Sequence, residues 1–179
     1  RTSEFVILST NDMHANIEAM PRLATLVKEY EAKGEVILVD SGDRVTGNAY
    51  VDDDAEPGIP MIELMNEVGY DVVTLGNHEF DKGRERLYAM VDASEFEWVC
   101  ANVSDMVGEL PVNPDTTLTV EDVDIAFVGV VATDCNGRPL GGEEAYKDFS
   151  FTDDCATAYD VSQSVAEDVA FVVLLSHMG

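Results

Sequence analysis

The chain has 179 residues, 46% of them hydrophobic, enough to bury one sizeable core and too apolar for a disordered chain. Its 10 Lys and Arg stand against 36 Asp and Glu, a net charge of -26, so it lacks the basic face that nucleic acid or an anionic membrane surface demands. No apolar run reaches the roughly 18 residues of a transmembrane helix.

The acidity reads first as a solvated surface. It also motivates the expectation of a halophilic source, since screening over about 3 Å at 1 M salt removes most self-repulsion. Cys100, Cys135 and Cys155 form an odd, widely spaced set without a C-x-x-C pair, neither a disulfide framework nor a zinc cage. Small buried hydrophobes or unpaired thiols are expected there. No signal peptide is visible. The chain starts at Arg1 and stops at Gly179, shortly after a strand pattern, and is read as a fragment of a longer protein.

In chain order, Glu4 to Thr10 is the first predicted strand, carrying Phe5, Val6, Ile7 and Leu8. A helix is predicted from Pro21, with Leu23, Leu26, Val27 and Tyr30 as its stripe and Gly34 as its stop. Glu35 to Asp40 is the second strand. Thr46 to Gly58, with Asp52-Asp53-Asp54, is expected to be a solvated loop. A second helix opens at Pro60 and ends at Gly69, and Asp71 to Leu75 is the third strand. A third helix turns Leu87, Met90 and Val91 inward, followed by a strand from Glu97 to Cys100 in which Trp98 is a core or domain-contact aromatic. Thr117 to Val120 and Asp124 to Val131 are predicted to form a hairpin, and Thr133 to Gly142 a loop. Asp153 or Asp154 caps a last helix through about Glu167, and Asp168 to Leu175 is the last strand. Strands alternating with helices predict an α/β fold with a mixed, largely parallel sheet.

Four of these strands end abruptly in metal-ligand residue types. They lead into Asn11-Asp12-Met13-His14, Asp40-Ser41-Gly42-Asp43, Gly76-Asn77-His78-Glu79-Phe80-Asp81 and Ser176-His177-Met178-Gly179. Ligands bind beyond the carboxyl ends of strands in α/β sheets, so the four ends are expected to form one site. The chain's three histidines, His14, His78 and His177, all follow predicted strands. Asp12, His14, Asp43, Asn77 and His177 offer oxygen and imidazole donors without a thiolate, a mixture that suits Mn, Zn, Co or Fe. A carboxylate such as Asp43 can bridge two divalent ions about 3.5–4 Å apart, and such a pair can direct a hydroxide at phosphorus. Neutral Asn77 leaves such a cluster positive enough to hold a phosphate.

The ordered set Asn-Asp-x-His, Asp-x-Gly-Asp, Gly-Asn-His-Glu-Phe-Asp and Ser-His-x-Gly resembles the 5'-nucleotidase family of the calcineurin-like metallophosphoesterases. Pro21-Arg22-Leu23-Ala24-Thr25-Leu26 and Cys100-Ala101-Asn102-Val103 extend the resemblance over nearly the whole chain. It implies a layered α/β/β/α sandwich, present here as its N-terminal portion, residues 1–179, without the C-terminal nucleotide-specificity domain. It also implies that Asp12 and His14 hold one of two divalent ions, Asp43 bridges both, and Asn77 and His177 hold the other. His78 would face the phosphate, with Asp81 orienting its ring. Asn11, Asp40 and Glu79 are candidates to shape the ligand loops or orient the ligands.

The implied activity is that of a two-metal phosphomonoesterase. It would hydrolyse nucleoside 5'-monophosphates, with 2',3'-cyclic or sugar-linked nucleotides as further candidates, by attack of a bridging hydroxide. The family pattern continues to a Gly-His-x-His motif beyond Gly179, so each ion is expected to be one ligand short and this fragment impaired. Arg44 stands where an uncharged residue is expected, and its side chain is expected to reach substrate or solvent. The alternatives are a phosphodiesterase of the same superfamily and a non-catalytic metal-binding or assembly fragment that self-associates through an exposed sheet edge. The resemblance favours an extracellular or cell-surface location.

Overall fold

Strand β2, Glu35–Asp40, alternates between two apolar layers, as a strand buried on both faces must. Ile37 and Val39 face one core cluster, whereas Leu38 faces another. The computed structural model describes residues 4–134 and 136–178; Arg1, Cys135 and Gly179, each named above, lie outside the described residues.

Strands β1 (Phe5–Thr10), β2, β3 (Val72–Thr74) and β4 (Glu97–Val99) form an all-parallel sheet in that order. Its helix-side face packs on α1 (Met20–Glu31), α3 (Ile59–Val68) and α4 (Arg84–Asp92). The short helix α2, Ala49–Asp52, precedes α3. Met20, Val27, Met61, Ile62, Met65, Leu87 and Met90 join Leu38, Val73 and Trp98 in this core. Full burial of such a side chain contributes roughly 1.5–3 kcal/mol.

The second sheet runs β6 (Asp115–Val120), β7 (Val123–Val131) and β9 (Phe171–His177). β6 and β7 are antiparallel, joined at Glu121 and Asp122, whose φ values of 50° and 65° are those a two-residue type I′ hairpin turn requires. β9 pairs parallel to β7, and α5 (Asp154–Val165), capped by the Asp153 carboxylate on Ala156 N, connects them across one face. Ile125, Phe127 and Leu175 meet Ile37, Val39 and Val72 between the two sheets. The layers are therefore helices, parallel sheet, mixed sheet and helix, in the expected α/β/β/α order. The antiparallel pairing lies in the mixed second sheet and in a separate two-stranded ribbon, while the first sheet is wholly parallel.

Several boundaries differ from expectation for physical reasons. The stretch after Thr46 is not wholly irregular: Asn48 accepts a hydrogen bond from Tyr50 N and starts α2. The ribbon of β5 (Val103–Asp105) with β8 (Phe149–Phe151) was not expected, because each strand has only three residues, too few for a periodicity to stand out. The last strand begins and ends later than predicted. Its pairing with β7 extends to Val131 opposite His177, so His177 is the final residue of β9 rather than part of the loop after it. Among the described residues no helix is long and apolar enough to cross a membrane.

Candidate metal centre

The loops beyond β1 and β2 leave their strands through backbone that ordinary residues avoid. Asp12, His14, Ala15, Asp43 and Thr46 have φ values from 45° to 67°. They are five of the seven non-glycine residues with positive φ among the described residues. Each such residue costs roughly 1–3 kcal/mol and persists where its surroundings over-determine it. Here hydrogen bonds do so. Asp12 N donates to Gly42 O (3.0 Å), His14 N to Asp43 O (2.9 Å) and Ala15 N to Arg44 O (2.8 Å), so the two loops stay paired beyond the strands.

Glu79 ties in the loop beyond β3. It is 1% exposed, and its carboxylate accepts from Asp43 N (3.0 Å), Arg44 N (3.0 Å) and Gly76 N (2.6 Å). Gly76 is needed for this approach, because a Cβ there would lie 2.5 Å from Asp43 N.

The loops and β9 converge on Asp43, whose side chain is 4% exposed. His177 Nε2 lies 3.2 Å from Asp43 Oδ2 and 3.2 Å from Asn77 Oδ1. His14 Nε2 and His78 Nε2 lie 4.0 and 3.9 Å from the same Asp43 oxygen, and His14 Nε2 is 3.7 Å from Asp12 Oδ1. Asp43 is thus shared by two groups with metal-ligand spacing: His14, Asp43 and His78, and Asp12, Asp43 and His177. Three of the four contributing strands belong to the parallel sheet; the fourth, β9, belongs to the other.

The tautomers follow from the partners. His14 Nδ1 is 3.0 Å from Thr46 O and His177 Nδ1 is 3.0 Å from Ser41 O. A carbonyl oxygen only accepts, so both Nδ1 atoms carry hydrogen; Nε2 of the neutral ring is then the atom free to bind a cation, and without one a protonated His177 donates from it to Asp43. His78 Nδ1 lies 2.7 Å from Asp81 Oδ2, which orients that ring in the same sense. A carbonyl or carboxylate on the far nitrogen is the usual support of a metal-binding imidazole. With the Asp12, Asp43 and Asn77 oxygens, these nitrogens are a donor set that suits borderline divalent cations. Neither distance nor the Asp81 carboxylate separates His78 from the ligands.

The electrostatics agree with a site poised for positive charge. Burial works against the Asp43 carboxylate, but hydrogen bonds from His177 and from His78 N, together with both imidazoles, hold its pKa below the usual value. Burial likewise opposes the His177 and His78 imidazolium forms. Asp43 outweighs it at His177, and the Asp81 hydrogen bond with Asp43 outweighs it at His78, so both pKa values are raised.

Asn11 Nδ2 donates to Asp12 Oδ2 (2.6 Å), and Asp40 Oδ1 accepts from Gly42 N (3.0 Å). Arg44 corrects the expectation made for it. Its side chain is 0% exposed and reaches neither substrate nor solvent. Its Nε donates to Asp40 Oδ1 (2.9 Å), its Nη2 lies 2.8 Å from that oxygen and donates to Thr74 O, and the guanidinium sits 4.4 Å from the Trp98 ring centre. Burial opposes its charge, but Glu79 and Asp40 outweigh it and raise its pKa. A buried carboxylate on either side drew the side chain inward.

Sequence reasoning missed three residues around the site. Thr46 bonds to both His14 and Asp81, and Asp52 holds the Thr46 turn. Tyr146 packs 5.4 Å from the Phe80 ring and reaches Asn77 O (3.5 Å). No local pattern links residues this far apart; the only hint was that Thr46-Gly47 follows the Asp43 motif directly.

Comparison with known proteins bears on this geometry. The calcineurin-like phosphoesterase family model matches residues 5–154. A 5'-nucleotidase of Vibrio cholerae is 29% identical over all of this chain and 34% of its own length, and endonuclease YhcR of Bacillus subtilis is 29% identical over 96% of this chain and 17% of its own. The chain thus spans about a third or less of these relatives. The solved NAD nucleotidase of Haemophilus influenzae superposes with a TM-score of 0.79 at 26% identity, over 97% of this chain and 38% of that one. A 5'-nucleotidase precursor of Thermus thermophilus shares the fold with a TM-score of 0.83 at 24% identity, over 97% of this chain and 37% of its own. The chain belongs to the calcineurin-like phosphoesterase family, within which its four motifs resemble those of the 5'-nucleotidases.

Proposed function

We propose that the protein containing this chain is a two-metal phosphomonoesterase acting on nucleoside 5'-monophosphates. The observation that carries the reading is the Asp43 carboxylate, shared by two donor groups and approached by three imidazoles. The donors are divided here as the family resemblance implies rather than as the two spaced groups fall: Asp12, His14 and Asp43 would hold one divalent ion, and Asp43, Asn77 and His177 the other. Two such ions would supply Lewis-acid charge and an activated water for phosphoryl transfer. The chain's own residues do the rest. Asp43, fixed by Glu79 and by the His78 backbone amide (2.9 Å), keeps the two halves in register. Steered by the Asp81 carboxylate on Nδ1, His78 would turn Nε2 towards phosphoryl oxygens and the leaving group.

The test is phosphate release from AMP by the full-length protein with added Mn²⁺, together with a metal titration. Two ions per chain are expected, with loss of at least about 100-fold in kcat for Asn77→Ala and His78→Ala. Activity that survives both substitutions overturns the reading. A second reading, phosphodiester cleavage, is favoured by the similarity to a protein named as an endonuclease. Comparing AMP with an aryl phosphodiester separates the two. An extracellular or cell-surface placement is part of the proposal, on the family resemblance alone.

A further inference from the structure

We infer that Thr46 is a two-sided positioning residue for this centre, with Asp52 as its anchor; the inference rests on the roles proposed above for His14 and His78. Two separate contacts carry it. Thr46 O is 3.0 Å from His14 Nδ1 and accepts its hydrogen, which leaves Nε2 free to face Asp43. Thr46 Oγ1 donates to Asp81 Oδ2 (2.9 Å), the same oxygen that receives His78 Nδ1–H (2.7 Å). One residue therefore orients the imidazole assigned to metal and, through Asp81, the imidazole assigned to the phosphate.

The hydroxyl has a specific task because Asp81 is a surface residue, its side chain 32% exposed. Without a second partner that carboxylate would exchange rotamers and partners with water, and the His78 tautomer would follow it.

The backbone supports the assignment. Thr46 has φ 67°, a conformation a β-branched residue adopts only under constraint. The constraint is the Asp52 carboxylate, which accepts from Thr46 N (3.1 Å), Gly47 N (2.8 Å) and Asn48 N (3.0 Å). Gly47 then lets the turn lie against the first loop, since a Cβ there would come 2.5 Å from His14 O. Asp52, the first member of an acidic triplet expected to be solvated, is thus the clamp that holds the strained turn.

The two sides can be separated by mutation. Thr46→Val keeps the carbonyl and the shape and removes only the hydroxyl. Thr46→Ser restores the hydroxyl without the methyl. Asp52→Ala releases the whole turn. The first readout is imidazole nitrogen NMR on the metal-free protein, which reports the His78 tautomer independently of activity. The second is Mn²⁺ affinity by calorimetry, and the third kcat and KM on AMP with the full-length protein.

At a pH where His78 is neutral, Thr46→Val is expected to shift its tautomer away from Nδ1–H and to lower kcat roughly 10-fold. Its Mn²⁺ affinity and KM should stay within about 2-fold, and Thr46→Ser should restore the wild-type values. Asp52→Ala is expected to lower Mn²⁺ affinity by about 10-fold as well, through His14. A folded Thr46→Val protein with an unchanged His78 tautomer overturns the inference, as does a Thr46→Ser variant as impaired as Thr46→Val. Wild-type protein that neither binds Mn²⁺ nor releases phosphate would remove the functional reading instead, and the NMR comparison would still decide the part played by the Thr46 hydroxyl.

Discussion

Arg44 and Asp40 offer the sharpest energetic test, because the structure moves Arg44 from an expected surface to the interior. Arg44→Met would remove two donor contacts to Asp40, at 2.9 and 2.8 Å, one to Thr74 O, and a guanidinium 4.4 Å from the Trp98 ring centre. Among the described residues it would leave Asp40, itself 0% exposed, with only Thr10 Oγ1 (2.7 Å) and Gly42 N (3.0 Å). Removing one member of a buried ion pair costs about 3–5 kcal/mol, a large part of a domain's stability of about 5–15 kcal/mol. Asp40→Asn leaves Arg44 with Glu79 as its remaining counter-charge and should cost about 2–3 kcal/mol. The double variant removes both charges together, so it should be at least about 1.5 kcal/mol less destabilised than the sum of the single changes. Urea unfolding followed by circular dichroism, at one fixed salt concentration, measures all four corners of the cycle. Arg44→Lys covers the case where Arg44→Met does not fold: it keeps the charge, loses the planar fork, and should cost about 2 kcal/mol. A coupling below about 0.5 kcal/mol would refute the buried pair. So would an Arg44→Met cost within about 0.5 kcal/mol, the range of an ordinary surface change.

Gly76→Ala would push a methyl group into the Asp43 carboxylate, to 2.9 Å from its Cγ, and should lower Mn²⁺ affinity by about 10-fold or more in calorimetry; wild-type affinity would show that the loops yield freely. Asp105 should stabilise against acid. Burial opposes its charge, but hydrogen bonds from Tyr88, Val107 N, Arg84 and Gly108 N hold its pKa down to about 2. A depressed carboxyl stabilises fully above its unfolded value of 3.8 and loses that contribution as pH falls through about 2. The stability gap between wild type and Asp105→Asn, roughly 1–2 kcal/mol after solvent screening, should therefore be complete at pH 5 and largely closed near pH 2; a gap independent of pH would contradict this. With a net charge of -26, the fold should melt at higher temperature as KCl rises from about 0.05 to 1 M, and maximal stability near zero added salt would refute the salt-adapted reading.

The sequence by itself determined the elements whose signals are local. A continuous apolar run identified β2 at its observed bounds, Pro60 and Gly69 bracketed α3, and Asp153 or Asp154 marked the start of α5. The ligand residue types were legible too, because each motif is short and directly follows an apolar run. The rest depended on distance in space. That His177 reaches Asn77 and Asp43 from a different sheet was decided when the two sheets packed through Ile37, Val39, Ile125 and Phe127. Whether Arg44 turned inward depended on Asp40 and Glu79 already lying beneath it, and Thr46 acquired its partners only when Asp81, 35 positions away, folded against it. Propensity and periodicity act between near neighbours along the chain, whereas the direction of a polar side chain is set by whichever buried charge or donor the packed layers bring beside it.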